Sequence, residues 1–178
     1  VNPQTRKILL TTTPRDYYVT IPGISGEQRD KLTHAGIYGV DASMATLEQL
    51  YGIEISYYAR VNFTSLETIV DALGGVDVNS EVEFEKNGYS FHKGINHMDG
   101  AQALTFSRER YSFAEGDNQR GKDQEAVLTA VIQKATSPAI LKSANEILVS
   151  VSDCVETNMT QDEMAKFINM QLTEGGSW

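Results

Sequence analysis

The chain has 178 residues, 40% of them hydrophobic, and a formal net charge of -9 at pH 7. This length and composition predict one compact domain with a core of ordinary size. The acidic balance argues against a nucleic-acid partner, because duplex binding normally requires a basic face. No apolar run approaches the roughly 18 residues of a membrane span, and no signal peptide opens the sequence, so we expect a soluble piece of a longer protein.

Strands and helices alternate in the first part of the sequence. Residues 6–13, 16–23 and 54–63 are rich in β-branched and aromatic side chains, which predicts strands, the second of them at a sheet edge. Residues 26–39 have no clean period and indicate a surface loop. The next segment predicts a helix that Asp41 caps and Gly52 ends.

The middle of the sequence contains the clearest helix and a hairpin. Apolar residues at i, i+3, i+4 and i+7 predict a helix over residues 66–73, which two glycines end. A strand resumes at Val76. Asn87-Gly88 then separates two runs of alternating polarity, which predicts a β-hairpin.

Helical patterns dominate the rest of the chain, over residues 117–135, about 138–153 and about 160–173. Early alternation followed by late helices is typical of a mixed central β-sheet covered by helices. We therefore predict an α/β fold.

Arg108, Arg110 and Arg120 lie within thirteen residues of this acidic chain. If residues 106–111 are extended, the first two side chains point the same way and Glu109 points the other way. Asp117 is a candidate cap for the helix that follows.

That helix carries an apparent stripe at offsets 0, 4, 7 and 11, formed by Arg120, Gln124, Val127 and Val131. The stripe predicts that the arginine and the glutamine face inward near the helix N-terminus, where unpaired N–H groups favour phosphate oxygens.

Two explanations of the arginines stay open on the pattern alone. They could pair with carboxylates of the chain itself, because an inward guanidinium requires an anion; the candidates are Glu109, Glu115, Asp117 and Asp123. They could instead form a pocket for a doubly phosphorylated ligand, since arginine binds phosphate through a planar fork. Arg15 follows a predicted strand and a proline, which places it at the carboxyl end of a sheet strand, where ligands of open α/β sheets tend to bind; a turn with a local ion pair is the alternative there.

Six segments within residues 14–124 together resemble one family. They are PRDYYVTIPG, KLTHAGIYG, YYARVNF, IVDALGGVDV, MDGAQALTFSRER and GDNQRGKDQ. This set is similar to the LytR-CpsA-Psr family, the cell-wall glycopolymer ligases of Gram-positive bacteria, and the capsule-attaching streptococcal members look nearest. We therefore interpret residues 1–178 as a single catalytic-type domain of this family, incomplete at the N-terminus.

The resemblance implies transfer of a glycan, a capsular polysaccharide or a teichoic acid, from a polyprenyl-pyrophosphate carrier to peptidoglycan. The implied catalytic and pyrophosphate-binding residues are Arg15, Arg108, Arg110 and Arg120, with Gln124 and Lys31 as further pyrophosphate-binding residues. A slot for the isoprenoid tail is expected, and the interpreted lining is Phe63, Ile69, Val70 and Val131, with ordinary core packing as the alternative for each.

The resemblance also implies Mg2+ and a membrane anchor. In the family, two aspartates that hold Mg2+ precede the strand with which this sequence starts, and Asp16 does not match either of them. The metal ligands and the anchor are therefore expected upstream of this chain, with the protein at the extracytoplasmic face of the cell membrane.

Two alternatives to the ligase remain. A non-catalytic module that binds a polyprenyl phosphate or an anionic glycan, and so regulates envelope assembly, would use the same arginines without turnover. A nucleotide-dependent phosphotransferase is disfavoured, because the sequence has no GxxxxGK[ST] motif and no GxGxxG after a strand.

Overall fold

The computed structural model describes residues 8–114, 116–141 and 143–174. These residues divide into two compact units. The amino-terminal unit is Thr12–Tyr58, and the carboxy-terminal unit contains the described residues from Ala59 onward together with those before Thr12. That both units belong to one catalytic domain stays a prediction.

The described strands are short. In chain order they are β1 (Tyr18–Thr20), β2 (Arg29–Lys31), β3 (Ala59–Val61), β4 (Val76–Ser80), β5 (Phe84–Lys86), β6 (Tyr89–Phe91), β7 (Gly94–Met98) and β8 (Val155–Thr157). The α-helices are α1 (Leu32–Ala35), α2 (Val40–Tyr51), α3 (Phe63–Ala72), α4 (Gly100–Arg108), α5 (Asp117–Ala135), α6 (Pro138–Leu141), α7 (Ala144–Val151) and α8 (Gln161–Glu174).

The amino-terminal unit pairs β1 with β2 in antiparallel register and packs α1 and α2 beside them. The loop predicted over residues 26–39 is wrong, because this segment forms β2, α1 and a 3-10 turn. Its strand is only three residues long, too short to show a period. Residues 8–13, the described part of the first predicted strand, have no regular secondary structure. Helix α2 starts after Gly39 rather than at Asp41, and it ends at Gly52 in the left-handed conformation, as predicted.

Helix α3 begins where the Asn62 side chain accepts a hydrogen bond from the Ser65 N–H, and it buries Val70 completely. The predicted hairpin is confirmed: Lys86 faces Tyr89 in the register, and Asn87 and Gly88 both have positive φ, as a two-residue type I′ turn requires. Four phenylalanines pack together: Phe84 and Phe91 of the hairpin, Phe106 of α4 and Phe113 of the segment between α4 and α5.

The sheet β4–β7 and helices α3, α4 and α5 enclose the main core. Gly100 starts α4 against α3, and any side chain there would collide with the backbone of Glu67. The Gly100 N–H donates to the Asp71 carboxylate at 2.8 Å, which fixes the crossing of the two helices. The α/β class is confirmed, although the described strands form four antiparallel pairs and not one continuous sheet.

The late helices match the prediction with one difference. Helix α5 has the predicted bounds, and α8 begins within about one residue of its predicted start. The segment predicted as one helix over 138–153 contains α6, α7 and a 3-10 turn. No helix in the described part of the chain is both long and apolar enough to cross a membrane.

Candidate functional site

Arg108 is the last residue of α4, so the condition that residues 106–111 are all extended is not met. The helix is favoured by a capping box in which Asp99 and Gln102 satisfy each other's backbone N–H groups. Its C-terminal end places the Arg108 guanidinium over the ring of Phe63, 4.3 Å from the centroid. Phe63 is 58% exposed, so this cation–π pair lies at the surface.

Glu109, the next residue, is only 3% exposed. One carboxylate oxygen accepts hydrogen bonds from the N–H groups of Tyr111 and Ser112, at 2.6 and 2.9 Å. The other oxygen is 2.8 Å from the Lys86 ammonium of β5. Burial raises the pKa of Glu109, but these three donors outweigh it and lower the pKa to about 2. The carboxylate therefore stays charged and fixes the turn between Arg108 and Arg110.

Arg110 and Arg120 converge on one oxygen of Asp117. The distances from their guanidinium nitrogens to Asp117 Oδ1 are 3.6 and 3.2 Å. Arg110 also donates to the Tyr111 hydroxyl, and this bond, with Asp117 nearby, raises the pKa of the arginine further. Asp117 does not cap α5: the N-cap residue is Gly116, and the Asp117 carboxylate contacts the arginines instead.

The buried side of α5 is one residue out of register with the predicted stripe. Gln119, Asp123, Val127 and Ala130 are its buried residues, whereas Gln124 is exposed. The prediction placed Arg120 and Gln124 inward because they share a helical stripe with Val127 and Val131. In the structure, α5 contacts β4 and α4, and the residues preceding Arg120 and Gln124, which are Gln119 and Asp123, are buried instead. Arg120 keeps 20% of its side chain exposed.

Gln124 nonetheless belongs to the same junction. Its Nε2 group donates to the Ser107 carbonyl at 3.2 Å, which links α5 to the last turn of α4. Arg108, at the end of α4, has its guanidinium over Phe63. The Glu109 turn and the start of α5 bring three predicted site residues together, because Arg110 and Arg120 meet at Asp117 and Gln124 contacts the last turn of α4. We call this the arginine junction.

The two explanations of the arginines can now be compared with the contacts. Asp117 pairs with both Arg110 and Arg120, Glu109 pairs with Lys86, and Asp123 accepts from an amide. Glu115 lies outside the described residues. Among the residues that the structure describes, one half-exposed carboxylate lies between two guanidiniums, which leaves an excess positive charge in this part of the junction.

Arg15 and Lys31 lie in the amino-terminal unit, and there too one carboxylate lies between two cationic side chains. Both contact the Asp16 carboxylate, Arg15 Nε at 3.7 Å and Lys31 Nζ at 2.7 Å. The hydrogen bond from Lys31 lowers the pKa of Asp16, and Arg15 adds to this effect. That these residues join the arginine junction around one ligand stays a prediction.

The four residues interpreted as a tail pocket have different environments. Val70 has no exposed surface and belongs to the core, which favours core packing for this residue. Ile69 and Val131 pack against the same core from partly exposed positions, and Phe63 lies beneath Arg108. The tail pocket stays a prediction.

A fit to Mg2+ requires several converging oxygen ligands. Among residues 8–114, 116–141 and 143–174, no three histidine, cysteine, aspartate or glutamate residues are grouped so that they could hold a metal ion. That the Mg2+ ligands lie upstream of this chain stays a prediction.

Sequence reasoning missed Lys86 and the buried state of Glu109. The available signal was an acidic residue directly between two arginines, which is unfavourable to bury unless a cation from elsewhere meets it. A cavity of about 580 Å3 beside them was also missed. Its lining includes Lys86, Asn87, Tyr89, Arg108 and Tyr111.

Comparison with known proteins gives the family. The sequence profile of the LytR_cpsA_psr family matches residues 1–175. The polyisoprenyl-teichoic acid--peptidoglycan teichoic acid transferase TagU of Bacillus mycoides (strain KBAB4) is 42% identical over 165 residues, which are 92% of this chain and 54% of that protein. The chain thus spans about half the length of the curated relatives it matches.

Solved structures give the same result. The crystal structure of B. subtilis TagU is 33% identical with a TM-score of 0.74, covering 85% of this chain and 65% of that one. The structure described as TagT bound to LI-WTA is 29% identical with a TM-score of 0.69, covering 90% of this chain and 61% of that one. With the family profile matched over nearly its whole length, the chain belongs to the LytR-CpsA-Psr family.

Proposed function

We propose that the protein containing this chain is a phosphotransferase that moves a glycan from a polyprenyl-pyrophosphate carrier to peptidoglycan. The observation that carries the proposal is the convergence of Arg110, from the turn after α4, and Arg120, from α5, on one oxygen at the start of α5. The names of the relatives support the same chemistry, since TagU is named a teichoic acid transferase that acts on polyisoprenyl-teichoic acid and peptidoglycan.

In this proposal the Asp117 carboxylate occupies the place of a phosphate oxygen. A diphosphate carries more charge than one carboxylate and presents several oxygens, so it competes with Asp117 for both guanidiniums. The first turn of α5 adds unpaired N–H groups and the positive end of the helix dipole. Gln124 lies at the same junction and Arg108 lies at the adjoining end of α4, and both are proposed to contact the outer oxygens or the glycan.

The transfer step is proposed as follows. A hydroxyl oxygen of the acceptor forms a bond to the phosphorus that carries the glycan, and the bond from that phosphorus to the bridging oxygen breaks. Polyprenyl phosphate leaves with the electron pair, and the hydroxyl proton passes to solvent. Arg110 and Arg120 stabilise the charge that develops on the leaving phosphate, which is the usual role of guanidiniums in phosphoryl transfer.

The remaining parts of the proposal rest on the family. We propose that Mg2+ is bound by aspartates upstream of this chain, that an upstream segment anchors the protein, and that transfer occurs at the extracytoplasmic face. The named relatives favour a teichoic acid as the glycan, and a capsular polysaccharide is the alternative.

The test is glycan transfer by the full-length protein with polyprenyl-pyrophosphate-linked donor and Mg2+. We expect Arg110→Ala and Arg120→Ala each to lower the rate by roughly 100-fold or more, as for the loss of one transition-state donor. Arg60→Ala is the matched control, because Arg60 pairs with Glu156 at the surface of the same unit. Parental rates in both junction variants would contradict the assignment, and tight donor binding without products would favour the binding module.

A further inference from the structure

A second cavity, of about 500 Å3, lies on the carboxy-terminal unit between β4, β7 and α5. Arg108, Arg110 and Arg120 do not line it. Its polar wall is formed mainly by acids and amides, among them Asp77, Glu81, Gln119, Asp123 and Glu125. The arginine junction and this cavity therefore use different sides of α5.

Asp123 is the unusual residue of this wall. It is 2% exposed, and its Oδ1 accepts one hydrogen bond, from Gln119 Nε2 at 2.9 Å. Its other oxygen, Oδ2, is buried and has no hydrogen-bond partner in the described structure. A buried carboxylate oxygen without a donor is unfavourable, and proteins usually supply a protein group, a water or a ligand. Burial, the main cause, raises the pKa of Asp123 to about 6.

The charges around Asp123 favour a cation. Four carboxylates line the cavity and only one lysine does, Lys122, whose ammonium is 3.7 Å from Glu81. Of the four carboxylates, Asp77 already has a partner, because its Oδ1 is 2.7 Å from His97 Nδ1. The wall thus has more negative than positive charge, which attracts a positively charged group.

The kind of cation follows from the spacing. No three potential metal ligands converge within the described residues, so the acids are too dispersed for a metal ion. A primary ammonium group has three donors and suits several separated acceptors. Its alkyl stem can pack on apolar side chains of the wall, which are Ile95, Ala126 and Ala130.

We propose that this cavity binds a primary alkylammonium group, which donates a hydrogen bond to Asp123 Oδ2. The carboxylate can turn toward the cavity at small cost, because its terminal torsion is broad. The ligand is either a free diamine or a lysine-type side chain, which share this chemistry. The site is independent of the proposed transfer function, since it uses none of the junction residues.

The test is calorimetric titration of the full-length protein with 1,5-diaminopentane, with Nα-acetyl-lysine amide and with 1,5-pentanediol as the neutral control. We expect saturable binding of the diamine, no binding of the diol, and at least a tenfold loss of affinity in Asp123→Asn. Asp162→Asn, which changes an exposed acid in α8 away from the cavity, should bind like the parent. Binding of the lysine derivative as well assigns the site to a side chain, and binding of the diamine alone assigns it to a free diamine.

Three results would overturn the proposal: neither amine binds, the diol binds equally well, or Asp123→Asn binds the amine like the parent. Should Asp123→Asn fail to fold, Glu125→Gln reduces the negative charge of the same wall without touching the buried residue. It should then weaken diamine binding while Asp162→Asn does not, and unchanged affinity in Glu125→Gln would count against the site.

Discussion

Two buried carboxylates of the carboxy-terminal unit, Glu109 and Asp123, are about equally hidden from solvent, yet their pKa values are shifted in opposite directions. Glu109 meets two backbone N–H groups and an ammonium, and its pKa is lowered to about 2. Asp123 meets one amide, and its pKa is raised to about 6. Burial alone therefore does not decide how a carboxylate behaves; the number and charge of its donors do.

The difference separates two roles. Glu109 has its donors supplied by the chain, so it is a positioning residue that fixes the turn carrying Arg110. Asp123 has one buried oxygen without a donor, which is the basis of the proposed ammonium site. Each of the following substitutions replaces one carboxylate and tests the role assigned to it.

The largest effect is expected for Glu109→Ala. Removing this carboxylate leaves the Tyr111 and Ser112 N–H groups and Lys86 without their acceptor, and it should lower the free energy of unfolding by about 3 kcal/mol. Urea denaturation measures the change. Glu85→Ala is the matched control, because Glu85 is an exposed neighbour in the same hairpin, and it should change stability by less than about 0.5 kcal/mol. Equal effects of the two changes would show that Glu109 does not fix the turn.

Asp123→Asn should act in the opposite direction. At pH 8 the native aspartate is charged and lacks a donor for Oδ2, so the neutral amide is expected to raise the free energy of unfolding by about 1–2 kcal/mol. Gln119 can still donate to the remaining carbonyl oxygen. Denaturation at pH 8 tests this expectation, and a large destabilisation would mean that the charged form is well accommodated.

The same contrast predicts opposite pH dependences. The pKa of Glu109 is lowered in the fold from 4.5 to about 2, so its contribution is present above pH 4.5 and is lost as the pH falls toward 2. The pKa of Asp123 is raised from 3.8 to about 6, so its contribution is present below pH 3.8 and is lost as the pH rises through 6.

Difference curves isolate each group from the other acids of the chain. The stability gap between the parent and Glu109→Ala should narrow below pH 4.5, and the gap between Asp123→Asn and the parent should open between pH 4 and 7. Urea midpoints measured across this range give both curves. Parallel curves for the parent and either variant would contradict the corresponding assignment.

The smallest change in stability is expected for Asp117→Asn. Asp117 is a third, exposed carboxylate, 51% accessible, so its pairs with the arginines should contribute less than about 1 kcal/mol. Its removal should nevertheless raise the affinity for inorganic pyrophosphate several-fold, because the competing anion is lost. Calorimetry with pyrophosphate measures this, and weaker binding in Asp117→Asn would show that the carboxylate assists the ligand and does not compete with it.

The features that sequence predicted well are those with local causes. Asn87-Gly88 determines its hairpin through backbone conformation, and the apolar stripe around Val70 determines α3. The sequence also placed Arg110 and Arg120 near one helix start, where both contact Asp117.

The features that sequence missed have tertiary causes. Which face of α5 is buried depends on how the helix packs on β4, and this packing cannot be read from the helix sequence. The sequence therefore predicted that Gln124 faces inward, whereas Asp123 is the buried residue. Lys86 meets Glu109 only because the hairpin lies beside the end of α4. The three-residue β2 forms through pairing with β1, and its sequence has no strand period of its own.

The most direct test of the arginine junction is the affinity of the full-length protein for farnesyl pyrophosphate, a soluble polyprenyl pyrophosphate, measured by calorimetry without added metal. We expect saturable binding by the parent and by Arg60→Ala, with at least a tenfold loss in Arg110→Ala and in Arg120→Ala. Equal affinity in the parent and in both junction variants would contradict the assignment of a pyrophosphate site to these guanidiniums.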